Sequence, residues 1–401
     1  MANNFTARER NILISSCYGH FLSHFNMLIF PALLIPLSLK MNLDIAEVLK
    51  LSFYMYMFFG VTALPWGMVA DKLGAKPLFM MQYLGSGLSS VAAFYYIDSG
   101  TGLMISLACI GIFSGIYHPA GLGMIAKEIK RVSVAMGYNG MFGNLGLGIA
   151  QIAGGLIIYF FGVESVYLVV AFANFTGLFF MALFPIEESV KKGSVKTDNK
   201  SVSPFLVLLI AMMLGGFVYR GASVITPALF ELKIPEVFSF LQDFTKFQIS
   251  ENLVATTVTS FIFLMGIFAQ YAGGRLAEKF KPQYIYLIFH LITIPAAFLT
   301  IQFTDYPLIL TILIFLFFLL GMQPAENTLV AALSPEKLKH SAYGLKFILT
   351  FGVGSIAVTV GAFIVSGYGI ENVYPSFGFI SIILVCSIAV LIKMTMGNTS
   401  K

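Results

Sequence analysis

The chain has 401 residues, 58% of them hydrophobic and 11% charged, with a formal net charge of +5 and a mean hydropathy of +0.87. Soluble domains carry about 25% charged residues, so a wetted surface could not be assembled here and the sequence reads as a polytopic membrane protein. Cys17, Cys109 and Cys386 stand singly in apolar segments, which indicates neither a disulfide framework nor a cysteine metal site.

A bilayer crossing needs about 20 apolar residues. Twelve spans are predicted: 12–38, 47–70, 76–97, 101–127, 132–160, 164–185, 204–230, 252–276, 282–302, 306–332, 340–366 and 371–393. The fold class expected is all-α. Span one follows MANNFTARER and is too long for a cleavable signal peptide, so it is expected to act as its own insertion signal. It holds His20 and His24, four residues apart and therefore on one helical face. After span two comes GMVADKLGAKP, residues 67–77. Span four carries GIFSGIYHPAG, in which Pro119 frees a carbonyl one turn earlier, with water or Ser114 as its expected partner. In span five, Gly137, Gly140, Gly143, Gly146 and Gly148 permit close helix packing, and Asn139 and Asn144 are candidate polar contacts. A polar segment, 186–203, precedes span seven, which holds Arg220. Between spans seven and eight, VFSFLQDFTKF reads as an interfacial amphipathic helix with Phe238, Leu241 and Phe244 on one side. Glu326 in span ten and Lys346 in span eleven are expected to pair near an inner gate.

Basic residues set the orientation. With the N-terminus in the cytoplasm, only Lys40, Lys50, Lys233 and Lys246 of the 24 Lys+Arg face outward, and Arg220 and Lys346 lie within spans. Both termini are therefore expected to be cytoplasmic, in an inner membrane. The positive charge reflects topology, and no nucleic-acid partner is expected.

The halves repeat. Gly67 and Asp71 map to Gly274 and Glu278, PALL at 31–34 maps to PALF at 227–230, and HPA at 118–120 maps to QPA at 323–325. This order implies an N-terminal six-helix half at 1–185, a linker at 186–203 and a C-terminal half at 204–401. Two parallel six-helix halves are an architecture of secondary transporters.

GMVADKLGAKP resembles the loop signature of the major facilitator superfamily, matched by Gly67, Asp71, Lys72, Gly74 and Lys76. The resemblance implies that the acid caps a helix of the opposite half and biases the conformational switch, with Gly274 and Glu278 as counterparts. More finely, GHF at 19–21, GIFSGIYHPAG and GYNGMFGNLGLG at 137–148 resemble the fosmidomycin-resistance exporters of that superfamily. That likeness implies a proton-driven exporter, the superfamily resemblance implies that helices 1, 4, 7 and 10 line a cavity where His20, His24, His118 and Arg220 meet, and a monomer is expected. Where those exporters commonly carry an acid, this chain has His24.

Ionisable groups within spans are functional candidates because insertion costs at least about 2.5–3.5 kcal/mol each. Three readings of His20, His24 and His118 stand: neutral structural imidazoles, a titrating proton site, or a metal set lacking an anionic ligand. Arg220 keeps its charge and suits a carboxylate or phosphate. Glu326 and Asn144 complete the candidate substrate contacts, and Glu326 is also a candidate for proton coupling. No Walker loop accompanies the spans, so neither ATP nor any other cofactor is expected, and a proton gradient is the expected energy source. The function expected is secondary transport of a small anionic or zwitterionic solute, or its metal chelate, with export favoured over uptake. A membrane metalloenzyme using His20 and His24 is the alternative from another class, and a transport-dead nutrient receptor is disfavoured by the short ends.

Overall fold

The structure, a computed structural model, describes residues 5–188, 202–333 and 344–396. Most of the polar linker lies outside these residues, as do Lys191, Lys192, Lys196, Lys200, Lys337, Lys339 and Lys401, which were sorted to the cytoplasmic side. Among the described residues every regular element is helical. Ten helices are long and apolar enough to cross a membrane. An eleventh crossing is the pair Ile45–Val61 and Ala63–Leu73, bent by 42°. Ala75–Tyr95, where span three is predicted, is a 21-residue helix whose apolar character is diluted by the buried Gln82, Ser86, Ser89 and Ser90. The chain forms two compact units, Met1–Lys192 and Gly193–Lys401.

In the first unit the helix ends follow local chemistry. Thr6 and Glu9 form a capping box at the start of span one, and Asp44 and Glu47 do the same for span two, each satisfying amide groups that the helix leaves open. Gly74, at φ +81°, joins spans two and three, a conformation that glycine reaches without a Cβ penalty. Directly beyond it, the Glu188 carboxylate accepts from the Ala75 amide at 2.9 Å, placing negative charge at a helix N-terminus. The core gathers Leu22, Phe79, Tyr83, Tyr117 and Ile125.

Several spans are not the straight helices that the apolar runs predict. Span one tightens into a 3-10 turn at Phe30–Leu33, around Pro31. Span four breaks between Ser114 and Tyr117, and span ten between Gly321 and Gln323. Each break is followed within three residues by a proline, Pro119 or Pro324, which lacks an amide hydrogen and crowds the preceding turn. The repeat is visible in packing. A Cβ on Gly67 would lie 3.4 Å from the Pro119 Cβ, and one on Gly274 would lie 3.7 Å from the Pro324 Cβ. Ser114 serves a wider polar hub than the proline-freed carbonyl: its hydroxyl accepts from Asn26 at 2.9 Å and meets Ser86 at 3.2 Å. Asn26 and Asn174 exchange amide hydrogen bonds at 3.1 and 2.8 Å.

In the second unit, the segment after span seven is a helix, Pro235–Thr245. Asp305, at φ +51°, accepts from the amides of Glu236 and Val237 at 2.7 and 3.2 Å and so caps it. Its exposed aromatic face differs from the expected one. Phe238 and Leu241 are half-buried, whereas Phe240 and Phe244 stack with centroids 6.2 Å apart and are mostly exposed with Phe247. The helix leans on the unit through Val237, which turns Phe238 and Leu241 inward.

Candidate functional site

The first unit brings three histidines together. His20 and His24 lie one turn apart in span one, and the break before Pro119 sets His118 in the second half of span four. The His24 Nε2 is 3.0 Å from the His20 Nε2. Both other rings have centroids 5.3 Å from the His118 ring. His20 and His118 are buried, and His24 is half-buried.

Neighbouring side chains fix these rings. The His20 Nδ1 lies 2.8 Å from the Asn139 carbonyl oxygen. A carbonyl can only accept, so Nδ1 donates and the neutral ring leaves Nε2 as an acceptor. Tyr117 stacks on His20 with centroids 4.7 Å apart and planes 14° apart, and its hydroxyl accepts from the Asn139 amide at 2.6 Å and meets Ser16 at 3.1 Å. Phe59 sets its ring perpendicular to His118 at 5.5 Å. Gly143 supplies the opening: a Cβ there would lie 2.6 Å from the His20 Cε1 and 2.7 Å from Nε2. Span five thus packs closely against the site itself, because one of its glycines lies directly against the ring edge of His20. Asn144, next to it, is buried, and its Nδ2 has no hydrogen-bond partner among the described residues.

In the second unit Arg220 sits in the 31-residue helix Ser203–Lys233, about 25 Å from its start at 1.5 Å per residue. It is 2% exposed. Its guanidinium carbon lies 5.8 Å from the Tyr219 ring centroid and 5.9 Å from that of Phe351, within cation–π range. Phe351 belongs to a π turn, Ile348–Gly352, in span eleven, an irregularity frequent at functional sites. One turn before Arg220, a Cβ on Gly216 would meet the Thr350 Cα at 2.6 Å, so the two backbones touch at this glycine.

A second buried cluster lies in the same unit. Lys346 and Glu326 form an ion pair at 2.7 Å. Tyr286 donates to the Glu326 Oε2 at 3.1 Å, and Lys346 donates to Asn327 at 2.5 Å. His290 meets Tyr286 edge to face at 4.9 Å; it is fully buried and neither ring nitrogen has a hydrogen-bond partner among the described residues. Counting only three intramembrane histidines in the sequence missed His290. The criterion that singled out the others, an ionisable group in an apolar span, applies equally to it and would have led to Tyr286.

The loop-signature residues lie at the ends of their helices. Asp71 pairs with Lys127 of the same unit at 3.1 Å, both side chains more than half exposed. Lys72 is exposed. Gly74 carries the positive-φ turn against Glu188 described above. In the second unit Glu278 meets Arg275 at 3.7 Å on the surface. Arg8 pairs with the buried carboxylate of Glu128, and Glu9 accepts from the Lys130 amide at 2.8 Å.

Ten membrane-length helices among the described residues, or eleven with the bent pair counted as one span, together with halves that repeat the same glycine–proline contact and charged groups buried within spans, define an all-helical membrane protein. The chain belongs to the Major Facilitator Superfamily, whose pattern it matches over residues 17–345 and 237–397. No curated protein matches the sequence significantly. Among solved structures it resembles a bacterial homolog of the human lysosomal transporter Spinster, with a TM-score of 0.75 at 13% identity over 97% of each chain. It also resembles a POT family transporter in complex with 5-aminolevulinic acid, with a TM-score of 0.74 at 15% identity over 94% of this chain and 95% of that one. A third likeness is to the human organic anion transporter MFSD10 (TETRAN), with a TM-score of 0.67 at 16% identity over 95% of this chain and 99% of that one. At such identities the likeness shows a shared fold. The superfamily is one of transporters, so the protein is not an enzyme, and the metalloenzyme reading of His20 and His24 is set aside.

Proposed function

We propose that this chain is a proton-coupled secondary transporter that exports a small organic anion or zwitterion, or its metal chelate, across the cytoplasmic membrane, with both termini in the cytoplasm. The observation that carries the anion assignment is Arg220, buried to 2% exposure just past the middle of a long span. Guanidinium does not deprotonate in proteins, and its planar fork matches the two oxygens of a carboxylate or phosphate. A fixed charge at that depth is retained against a cost of several kcal/mol because it is used. The solute classes named for two of the structural neighbours, an organic anion and 5-aminolevulinic acid, fit the same chemistry. Export is the direction implied by the resemblance of the Gly-His, His-Pro and Gly-Asn runs of the first half to the fosmidomycin-resistance exporters.

Coupling is assigned to Glu326. A proton on its carboxylate removes the charge that holds Lys346 and leaves each group a second partner. Tyr286 still serves the neutral acid, and Asn327 still accepts from Lys346. Two hydrogen-bonded arrangements of one pair make a bistable element that substrate and proton can bias. Alternating access of the two halves then follows as in other repeat-built transporters.

The test is a thermal-stabilisation panel on the purified protein covering carboxylates, phosphonates, zwitterionic amino acids and amphipathic cations. It is followed by transport of the best responder into proteoliposomes under an imposed pH gradient. Stabilisation by an anion or zwitterion, and transport that follows the gradient, are the results expected. A response confined to cations would contradict the assignment.

A further inference from the structure

We propose that His20, His24 and His118 bind one divalent transition-metal ion of the zinc, cobalt and nickel class within the first unit. The inference is separate from the anion site, whose Arg220 and Glu326 belong to the second unit.

The donor geometry is nearly assembled. One ring nitrogen from each of the three residues lies within 4.8 Å of the other two. A tetrahedral ion with nitrogen ligands at 2.0–2.1 Å places those nitrogens about 3.3 Å apart. The two Nε2 atoms of His20 and His24, 3.0 Å apart, are already at that spacing. Without an ion a single proton bridges them, and a metal takes the place of that proton. His118 closes the remaining gap by about 1.5 Å, a small side-chain rotation, to complete the set.

The surroundings are those of a metal ligand. His20 donates its Nδ1 hydrogen to the Asn139 carbonyl, the second contact that usually fixes the tautomer and raises the basicity of a ligating imidazole. Tyr117, held by Asn139 and Ser16, keeps the His20 ring in place. Phe59 meets His118 edge to face. Gly143 gives the ring the room it occupies, since a Cβ there would sit 2.7 Å from Nε2. Three neutral imidazoles, with no carboxylate grouped with them among the described residues, select against calcium and magnesium and in favour of zinc, copper, nickel and cobalt. Three protein ligands also leave a fourth position open to water or an anion.

The experiment titrates Co²⁺ into untagged, full-length protein in detergent, following visible absorption, with Zn²⁺ competition measured by calorimetry. One ion per chain, with the intense visible bands of four-coordinate cobalt, is expected. His118→Gln and His24→Phe should each weaken binding at least 100-fold, beyond the roughly 10–100-fold typical of losing an outer-shell contact. His24→Cys keeps a ligand and should retain binding with a new sulfur-to-cobalt charge-transfer band, which tests the site even if another variant folds poorly. Gly143→Ala should weaken binding without removing a ligand, whereas His290→Gln, in the second unit, should leave it unchanged. The proposal is overturned if the wild-type protein shows no saturable binding. It is equally overturned if a folded His20→Gln/His24→Gln/His118→Gln variant binds like the wild type.

Discussion

Removing the Glu326–Lys346 pair in three ways exposes what the pair does. Its side chains are 4% and 10% exposed and 2.7 Å apart, so taking one partner away strands a charge that water cannot reach. Breaking such a pair typically costs about 3–5 kcal/mol. The remaining contacts order the variants. Lys346→Met leaves Glu326 with the Tyr286 hydroxyl, so its cost should fall near the lower end, about 3 kcal/mol. Glu326→Leu strands Lys346 with only Asn327 and also deprives Tyr286 of its acceptor, adding about 1–3 kcal/mol for a buried unsatisfied group. The double variant Glu326→Leu/Lys346→Met removes both charges and should recover to within about 1–2 kcal/mol of wild type, since apolar replacement of a buried pair is often neutral. Reversible unfolding of the purified protein in mixed micelles, run as a double-mutant cycle, measures all three. Singles that each cost under 1 kcal/mol, or a double whose cost equals their sum, would refute a tightly coupled buried pair. Transport by the stable double variant should lose its dependence on the pH gradient.

Gly74→Ala should destabilise the first unit by about 1–3 kcal/mol, because it forces φ > 0 on a residue with a Cβ and displaces Glu188 from the Ala75 amide. Combined with Glu188→Ala the loss should be less than additive, and an additive result in chemical unfolding would show that the two are independent. Asp71→Asn breaks only an exposed pair with Lys127, worth about 0–1 kcal/mol. The melting temperature should therefore barely move while transport in proteoliposomes slows severely. Unchanged transport would remove Asp71 from the conformational switch. Phe240→Ser/Phe244→Ser, on the exposed stacked pair of Pro235–Thr245, should leave soluble-ligand binding intact and reduce protection of this helix from hydrogen exchange in lipid relative to detergent. Identical protection in both would exclude an interfacial role.

The crossings were legible because a span must be apolar for about 20 residues, a requirement strong enough to be read from composition alone. The His20–His24 pairing follows from helical spacing in the same way. That His118 joins them does not, since periodicity gives a residue's face but not the neighbour it meets. Nor does the sequence tell which glycine of span five opens toward a ring; Gly143 and Gly146 look alike until Gly143 is found beside His20 and Gly146 against the Phe21 backbone. The breaks in spans four and ten were signalled by Pro119 and Pro324. Their matching contacts with Gly67 and Gly274, at 3.4 and 3.7 Å, were beyond reach, although the repeat itself was not. His290 was overlooked amid the aromatic and aliphatic residues of span nine, and with it the Tyr286 that joins the expected Glu326–Lys346 pair. The aromatic face of Pro235–Thr245 was misassigned because the unit's packing on Val237, rather than the helix's own pattern, decides which phenylalanines turn outward.

The most direct test of the account is the affinity of Arg220→Lys for the anion or zwitterion that best stabilises the wild-type protein. Lysine keeps the positive charge and most of the length but presents a point charge in place of the two-pronged fork. The loss of one charge-assisted hydrogen bond, about 1.5–3 kcal/mol, corresponds to an affinity roughly 10–150-fold weaker. The account predicts a dissociation constant raised within that range, with the melting temperature of the ligand-free protein unchanged or higher. Wild-type affinity in Arg220→Lys and in Arg220→Ala would contradict the claim that this guanidinium holds the substrate.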